Sequence, residues 1–370
     1  MSRTEIEAGE ADLKAHGRRL VSPHKRPRAV HFVDDRPRTP MGKGGESAAR
    51  RAEGMSAVHV AYTKGLHEVG DGLYAYLQPD GGWGWSNAGL VTAAGTSLLV
   101  DTLYDLRLTR EMLEAMAPVT ADHPIDAAMN THANPDHCFG NELLPTTAEI
   151  YSSQATADEM GGLSPQQLDA MKRGTLPPHV RAFVDMAFGP FEVADITVRL
   201  PSHTFSGRLD LEVGDRVVSL LELGPAHTGG DTIVHVPDAR IVFTGDLLFN
   251  QGTPIVWADY DNWIAACDRI LEIGAAVLVP GHGPVSDASG MRDLRRYLVY
   301  VREQALERFE AGMDEAQAAD DIDLSAFSDW GETERIVANV IAAYRAFDRS
   351  RPATTRAELI AAMADWHARH

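Results

Sequence analysis

Residues 131 to 141 read THANPDHCFGN and set His132, Asn134, Asp136 and His137 within six positions, directly after the apolar stretch IDAAMN, which reads as a strand end. Imidazole nitrogens and carboxylate oxygens at this density are the ligand types of zinc, iron and manganese sites. The pattern His-x-His-x-Asp-His is interrupted at Asn134, whose amide oxygen is a neutral and weaker donor than imidazole nitrogen. Three later segments each carry one more ligand-type residue in a tight Gly-containing turn: GPAHTGGDT with His227, FTGDLLF with Asp246 and VPGHGP with His282. Most of these turns fall where a strand ends, so side chains from separate strands can converge on one edge of a sandwich. A divalent metal held there keeps a position open for water and, if it is zinc, lowers the pKa of that water to about 7. Asp136 can both hold a metal and accept a proton from the nucleophile, while metal and backbone donors stabilise an oxyanion. The chemistry expected is hydrolysis of an ester, thioester, lactone or amide-like bond in a small molecule, with Asp136 and Asp246 as its catalytic carboxylates.

The elements that must position these residues are legible from about residue 57 onward. GLYAYLQ, NAGLVTA and SLLVDT read as three strands separated by Gly-rich turns, and LTREMLEAMAPV sets Leu108, Met112, Leu113 and Met116 at helical spacing. IDAAMNT, LDLEVGDRVVSLLEL, TIVHVP and RIVFTGD continue the strand pattern, and the helix DNWIAACDRILEIG precedes the strand AVLVPGHG. Strands and helices thus alternate in two similar halves. Residues 155–190 interrupt them with an amphipathic helical insertion, either a lid over the site or an outer layer. From Met291 to the end the chain reads as mostly helical, with apolar stripes in MRDLRRYLVYVREQALERFEAGM and ERIVANVIAAYRAFD that suit either packing within the chain or a homo-oligomer interface.

Composition narrows the class. The chain has 370 residues, 44% of them hydrophobic, enough for a substantial core. Its formal charge of −19 argues against a nucleic-acid partner, which demands a basic surface. The first 56 residues depart from this, with 12 Lys+Arg against 8 Asp+Glu and little apolar periodicity, and read as a flexible extension. No run of about 18 apolar residues suggests a membrane span. The two cysteines, Cys138 and Cys267, lack the spacing of a redox pair, which points to a reducing, cytoplasmic setting.

The four ligand-bearing segments in this order resemble the metallo-β-lactamase superfamily, and the resemblance covers residues from about 65 to 290. It implies an α/β (α+β) fold, the αββα metallo-β-lactamase sandwich spanning residues 57–290, here with a helical insertion and a helical C-terminal region over 291–370. By similarity His132 and His227 belong to a first metal site, Asp136, His137 and His282 to a second, and Asp246 bridges them; Asn134 stands where the first site would hold its second histidine. Zinc is the expected metal, one or two ions per chain, with iron or manganese as alternatives. An aspartate at 246 is closer to the glyoxalase II and general hydrolase branches. Because His132, His227 and Asp246 alone form a two-histidine, one-carboxylate set, a non-haem iron oxygenase is an alternative. So are a non-hydrolytic lyase or cyclase and a non-catalytic binding protein. Trp83, Trp85, Asn87, Gln251 and Trp257 flank the ligand turns and are candidate pocket residues, and His179 and His203 are candidate substrate contacts from the insertion or just after it.

Overall fold

The structure, a computed structural model, describes residues 60–370; the extension expected over 1–56 lies outside the described residues. Two sheets face each other. The first holds seven strands in sequence order: β1 (Gly65–Gly70), β2 (Leu73–Leu77), β3 (Ala88–Ala93), β4 (Thr96–Val100), β5 (Ile125–Met129), β6 (Glu149–Ser153) and β7 (His203–Phe205). The first four pair antiparallel, β1 with β2 and β3 with β4 through two-residue turns and β2 with β3 through the loop 78–87, and the last three join in parallel. Parallel neighbours need a crossover, and between β4 and β5 it is helix α1 (Leu106–Thr120). The second sheet holds β8 (Arg208–Val213), β9 (Arg216–Glu222), β10 (Thr232–Val236), β11 (Ile241–Phe249) and β12 (Val277–His282), in the order β12-β11-β10-β9-β8.

Alternation along the strands decides which side chains meet. Leu73, Ala75 and Leu77 of β2 and Leu98 and Val100 of β4 face Val218, Leu220, Val234, Ile241 and Phe243 of the other sheet in one buried cluster. Their neighbours Tyr76, Leu90 and Leu99 point the opposite way, into a larger cluster shared with the helices. Each sheet is thus covered by the other on one face and by helices on the other, which is the αββα arrangement that the resemblance implied.

The remaining helices follow in chain order. A single turn, α2 (Pro135–Cys138), carries Asp136 and His137. The insertion forms α3 (Gln154–Met160), α4 (Pro165–Arg173) and α5 (Pro178–Ala187). Helix α6 (Tyr260–Ile273) links β11 to β12, and α7 (Ala288–Glu310), α8 (Glu315–Asp321), α9 (Ile336–Phe347) and α10 (Arg356–His367) form the C-terminal layer. The apolar stripes of α7 and α9 bury Leu294, Leu298, Val301, Val337 and Val340 against α6 and each other. Packing within the chain therefore accounts for those stripes. Among the described residues no helix is long and apolar enough to cross a membrane.

Candidate metal centre

Each of the four ligand-bearing segments arrives at the same edge of the sandwich by its own local device. After β5 the chain turns through Asn130 and Thr131. Asn130 Nδ2 donates to the His137 carbonyl at 2.9 Å, and Ser86 Oγ donates to the Asp136 carbonyl at 2.5 Å, which fixes α2 against the strand ends. Asp246 projects from β11 where the register against β12 shifts at Gly245, a bulge that re-aims the following side chain. His282 ends β12, and the preceding Gly281 leaves no room for a side chain: a Cβ there would collide with Asp246 Oδ1. The His227 loop is folded by Asp231, whose Oδ2 accepts from the backbone of Ala226 and Thr228 at 3.1 and 2.8 Å. Burial pushes the Asp231 carboxyl up to about 7.

The four imidazoles share one orientation. His137 Nδ1 donates to Asp101 Oδ2 at 2.9 Å, His227 Nδ1 to the Ile255 carbonyl at 2.7 Å and His282 Nδ1 to the Gly81 carbonyl at 3.2 Å. These partners can only accept, so in the neutral ring the proton sits on Nδ1. His132 Nδ1 lies 3.0 Å from Thr131 Oγ1, whose own proton goes to Asp101 Oδ2 at 2.8 Å, so the same tautomer holds. The Nε2 atoms then present lone pairs toward Asp246, at 3.1 Å for His137, 3.3 Å for His227, 3.5 Å for His282 and 3.6 Å for His132. Asp136 Oδ2 joins them, 3.2 Å from His282 Nε2. Lone pairs facing a carboxylate repel unless a cation or proton lies between them. His132 Nε2, His137 Nε2, Asp246 Oδ1 and Asn134 Oδ1 are buried without a hydrogen-bond partner. Orphaned acceptors around one point fit a divalent metal ion.

Titration behaviour follows the same geometry. Burial, with neighbouring His137, pushes His132 well below its usual range, and burial holds His227 down at about 4. Burial also opposes the charged form of His137 and His282, but Asp246 and Asp136 outweigh it, raising His137 well above the usual range and His282 to about 9. Without an ion, protons occupy the places on these rings that a cation would take.

Two groups are close enough to share an ion: His132, His137 and Asp246, and Asp136, His137 and His282. The second matches the expected set. The first places His132 with His137 rather than with His227, and Asn134 Nδ2 donates to His227 Nε2 at 2.9 Å, which engages that lone pair.

A cavity of about 610 Å³ opens over this centre. Its floor includes Asp136, His227, Asp246 and His282, and its walls come from the insertion (Leu163, Leu168, Met171), Trp83, Trp257 and the C-terminal layer (Arg335, Ile360). The insertion thus lines the cavity above the histidine and aspartate cluster. Of the candidate pocket and substrate-contact residues, Trp83 and Trp257 line the cavity, and the other five do not. Trp85 packs on Phe191 with ring centroids 5.1 Å apart. Asn87 Nδ2 donates to the Pro280 and Gly283 carbonyls at 3.0 and 2.8 Å, clamping the turn that carries His282. Gln251 sits at a positive φ of 68° beside a separate small cleft. His179 lies on the outer side of α5, paired with Asp365 at 2.6 Å. His203 stacks on Tyr151 at the far sheet edge. Cys138 is buried, donates to the Asn134 carbonyl at 3.2 Å, and burial holds its thiol well above the usual range. Asp101 is the residue that the motif reading missed: it sits at the end of β4 with φ 63° and orients His137 and, through Thr131, His132.

The family model of the metallo-beta-lactamase superfamily matches residues 81–282, and the chain belongs to that superfamily. It is similar to the linear primary-alkylsulfatase of Pseudomonas sp., at 23% identity over 252 residues covering 60% of this chain and 47% of the relative. The 2,4-dinitroanisole O-demethylase subunit alpha of Nocardioides sp. matches at 24% identity over 189 residues, 50% of this chain and 48% of the relative. Among solved structures, the stereoselective inverting sec-alkylsulfatase Pisa1 from Pseudomonas sp. superposes with a TM-score of 0.61 at 18% identity, covering 77% of this chain and 50% of that one. The chain thus spans about half the length of these relatives.

Proposed function

We propose that the protein is a metal-dependent hydrolase that cleaves an ester-type bond, carboxylic, thioester or sulfate, in a small molecule with an apolar body. The observation that carries this reading is the convergence of four imidazole Nε2 atoms and two carboxylates on one point beneath an apolar cavity. His132, Asp136, His137, Asp246 and His282 would hold the ion, with His227 and Asn134 beside them. When bound, a divalent ion would lower the pKa of a water to about 7 and polarise the substrate oxygen. Asp136 lies at the cavity floor and takes up the proton released by the attacking water. In the metal-free protein burial opposes its charge, but the neighbouring His137 and His282 outweigh it and hold that carboxyl below the usual range, so it is ionised. Asp101, the Ile255 carbonyl and the Gly81 carbonyl hold the rings in the tautomer that binding requires. Leu163, Leu168 and Met171 give the cavity an apolar lining from the insertion. The relatives support the class: their names describe alkylsulfatases and, over a shorter stretch, a human acyl-coenzyme A thioesterase at 30% identity over 79 residues.

A panel of carboxylic, thio- and sulfate esters of medium-chain alcohols, assayed with loaded and chelator-treated protein, tests this. Metal-dependent turnover of at least one ester class is expected. Absence of turnover across the panel in protein that holds metal would overturn the hydrolase reading.

A further inference from the structure

Arg335 lies in the wall of the cavity, 2% exposed, at the start of α9. Its guanidinium lies over two rings, 4.3 Å from the centroid of Trp83 and 5.4 Å from that of Phe249, and Phe249 in turn stacks on His282 with centroids 5.0 Å apart. The cation is thus one ring removed from the metal centre. Guanidinium offers five N–H donors in a planar fork. Here Nη1 donates to the Thr253 carbonyl at 2.8 Å, while Nε is buried and has no partner. Glu332 acts on it electrostatically, and Glu334, the nearer in sequence, spends Oε1 on Trp83 Nε1 at 2.7 Å. Among the described residues no carboxylate oxygen comes within 4.0 Å of the Arg335 guanidinium.

A structural role alone would account for the stacking and for the bond to Thr253. It leaves unexplained why a permanently charged fork is buried without a contacting counter-ion, since burying a charge is costly unless it is paired and hydrogen-bonded. The other basic residue at this cavity, Arg356, is exposed at its mouth over Trp257, 5.5 Å from the ring centroid. Buried positive charge and apolar walls therefore occur together beside the reacting centre.

We propose that Arg335 is a specificity-determining residue: it receives an oxyanion of the substrate, a carboxylate or a sulfate group, whose apolar body packs against Leu168, Met171 and Ile360. The inference rests on the cavity being the substrate site, as the functional reading holds, and it names the substrate class as an anionic amphiphile. Planar, bidentate geometry is what guanidinium supplies to carboxylate and sulfate oxygens, and a point-charge ammonium does not reproduce it.

Calorimetric titration of the full chain with octanoate, octyl sulfate and uncharged 1-octanol tests the assignment without any turnover. In the wild-type protein at least one of the two anions should bind about tenfold or more tighter than octanol, the scale of a charge-assisted contact in a desolvated pocket. Whichever anion binds tighter identifies the headgroup. The preference should survive chelator treatment, disappear in Arg335→Met and be reduced in Arg335→Lys. Equal affinity for anions and octanol in the wild type would overturn the proposal, a result that needs no variant to fold. So would a preference that persists in a folded Arg335→Met, or one that vanishes with the metal, which would mean that the ion and not Arg335 reads the anion. Failure of the hydrolase reading, seen as absent turnover, leaves this titration intact, and failure here leaves turnover intact.

Discussion

Replacing Asp101 by Asn probes the least visible support of the metal centre. Asp101 Oδ1 accepts from Thr131 N at 2.7 Å, and Oδ2 accepts from both Thr131 Oγ1 and His137 Nδ1, at 2.8 and 2.9 Å. An asparagine can keep one acceptor, but its NH2 group would then face two donors. His137 loses a charge-assisted partner, and with it the constraint that leaves Nε2 free to bind. The backbone should tolerate the change, because Asn is among the residues that adopt the positive φ of 63° found here. Loss of such an outer partner typically weakens metal affinity about 10- to 100-fold, or about 1.4–2.7 kcal/mol. His137 belongs to both groups able to share an ion, so the full effect is expected. Competition against a chromophoric chelator measures it, with circular dichroism to confirm the fold. A folded Asp101→Asn variant with wild-type metal affinity would refute the reasoning.

Further expectations concern the centre itself. Changing Asn134→His removes the donor that engages His227 Nε2. Metal content per chain by elemental analysis should rise or become tighter, and an unchanged content and affinity would mean that Asn134 does not weaken the site. Asp136→Ala and Asp246→Ala should each lower the catalytic rate at least about a hundredfold, measured on the best ester of the panel; a near-normal rate in either would place the chemistry elsewhere. In metal-free protein, His282 is raised from 6.5 to about 9, so its stabilisation is complete below 6.5 and is lost as pH rises through 9, with His137 acting in the same sense. His227, lowered to about 4, acts oppositely and loses its contribution only as pH falls from 6.5 through 4. Thermal melts should therefore show metal-free protein losing stability from pH 6.5 to above 9, with a smaller loss in loaded protein, where the ion replaces the protons. Equal pH dependence of the two forms would contradict this.

The ligand turns were legible in the sequence because each couples a strand end to Gly and to a residue that seldom sits buried without a partner. The strands of the inter-sheet core were legible too, since LYAYL and TSLLV are short apolar runs bounded by Gly-rich turns. Strands β1, β6 and β7 were not: GLHEVG carries Gly and charged residues, and HTF is three residues held by its neighbour's ladder. Asp101 was hidden for a different reason. An aspartate after a strand is common, and only the approach of Thr131 and His137 from thirty or more positions away gives it a task. The same holds for the cavity walls, where Trp83 lies inside and Trp85, two residues on, packs outward on Phe191. Arg335 and Ile360 reach the site from the C-terminal layer, over distances in sequence that no local pattern records.

The central claim is that the buried histidine and aspartate cluster holds a divalent metal ion. Elemental analysis of the full chain, purified without added metal and compared with a His137→Ala, Asp246→Ala double variant, tests it most directly. The account predicts about one or more equivalents of zinc, iron or manganese per chain in the wild type and a small fraction of that in the variant. Wild-type protein that carries none of these metals and takes up none when they are supplied would contradict it.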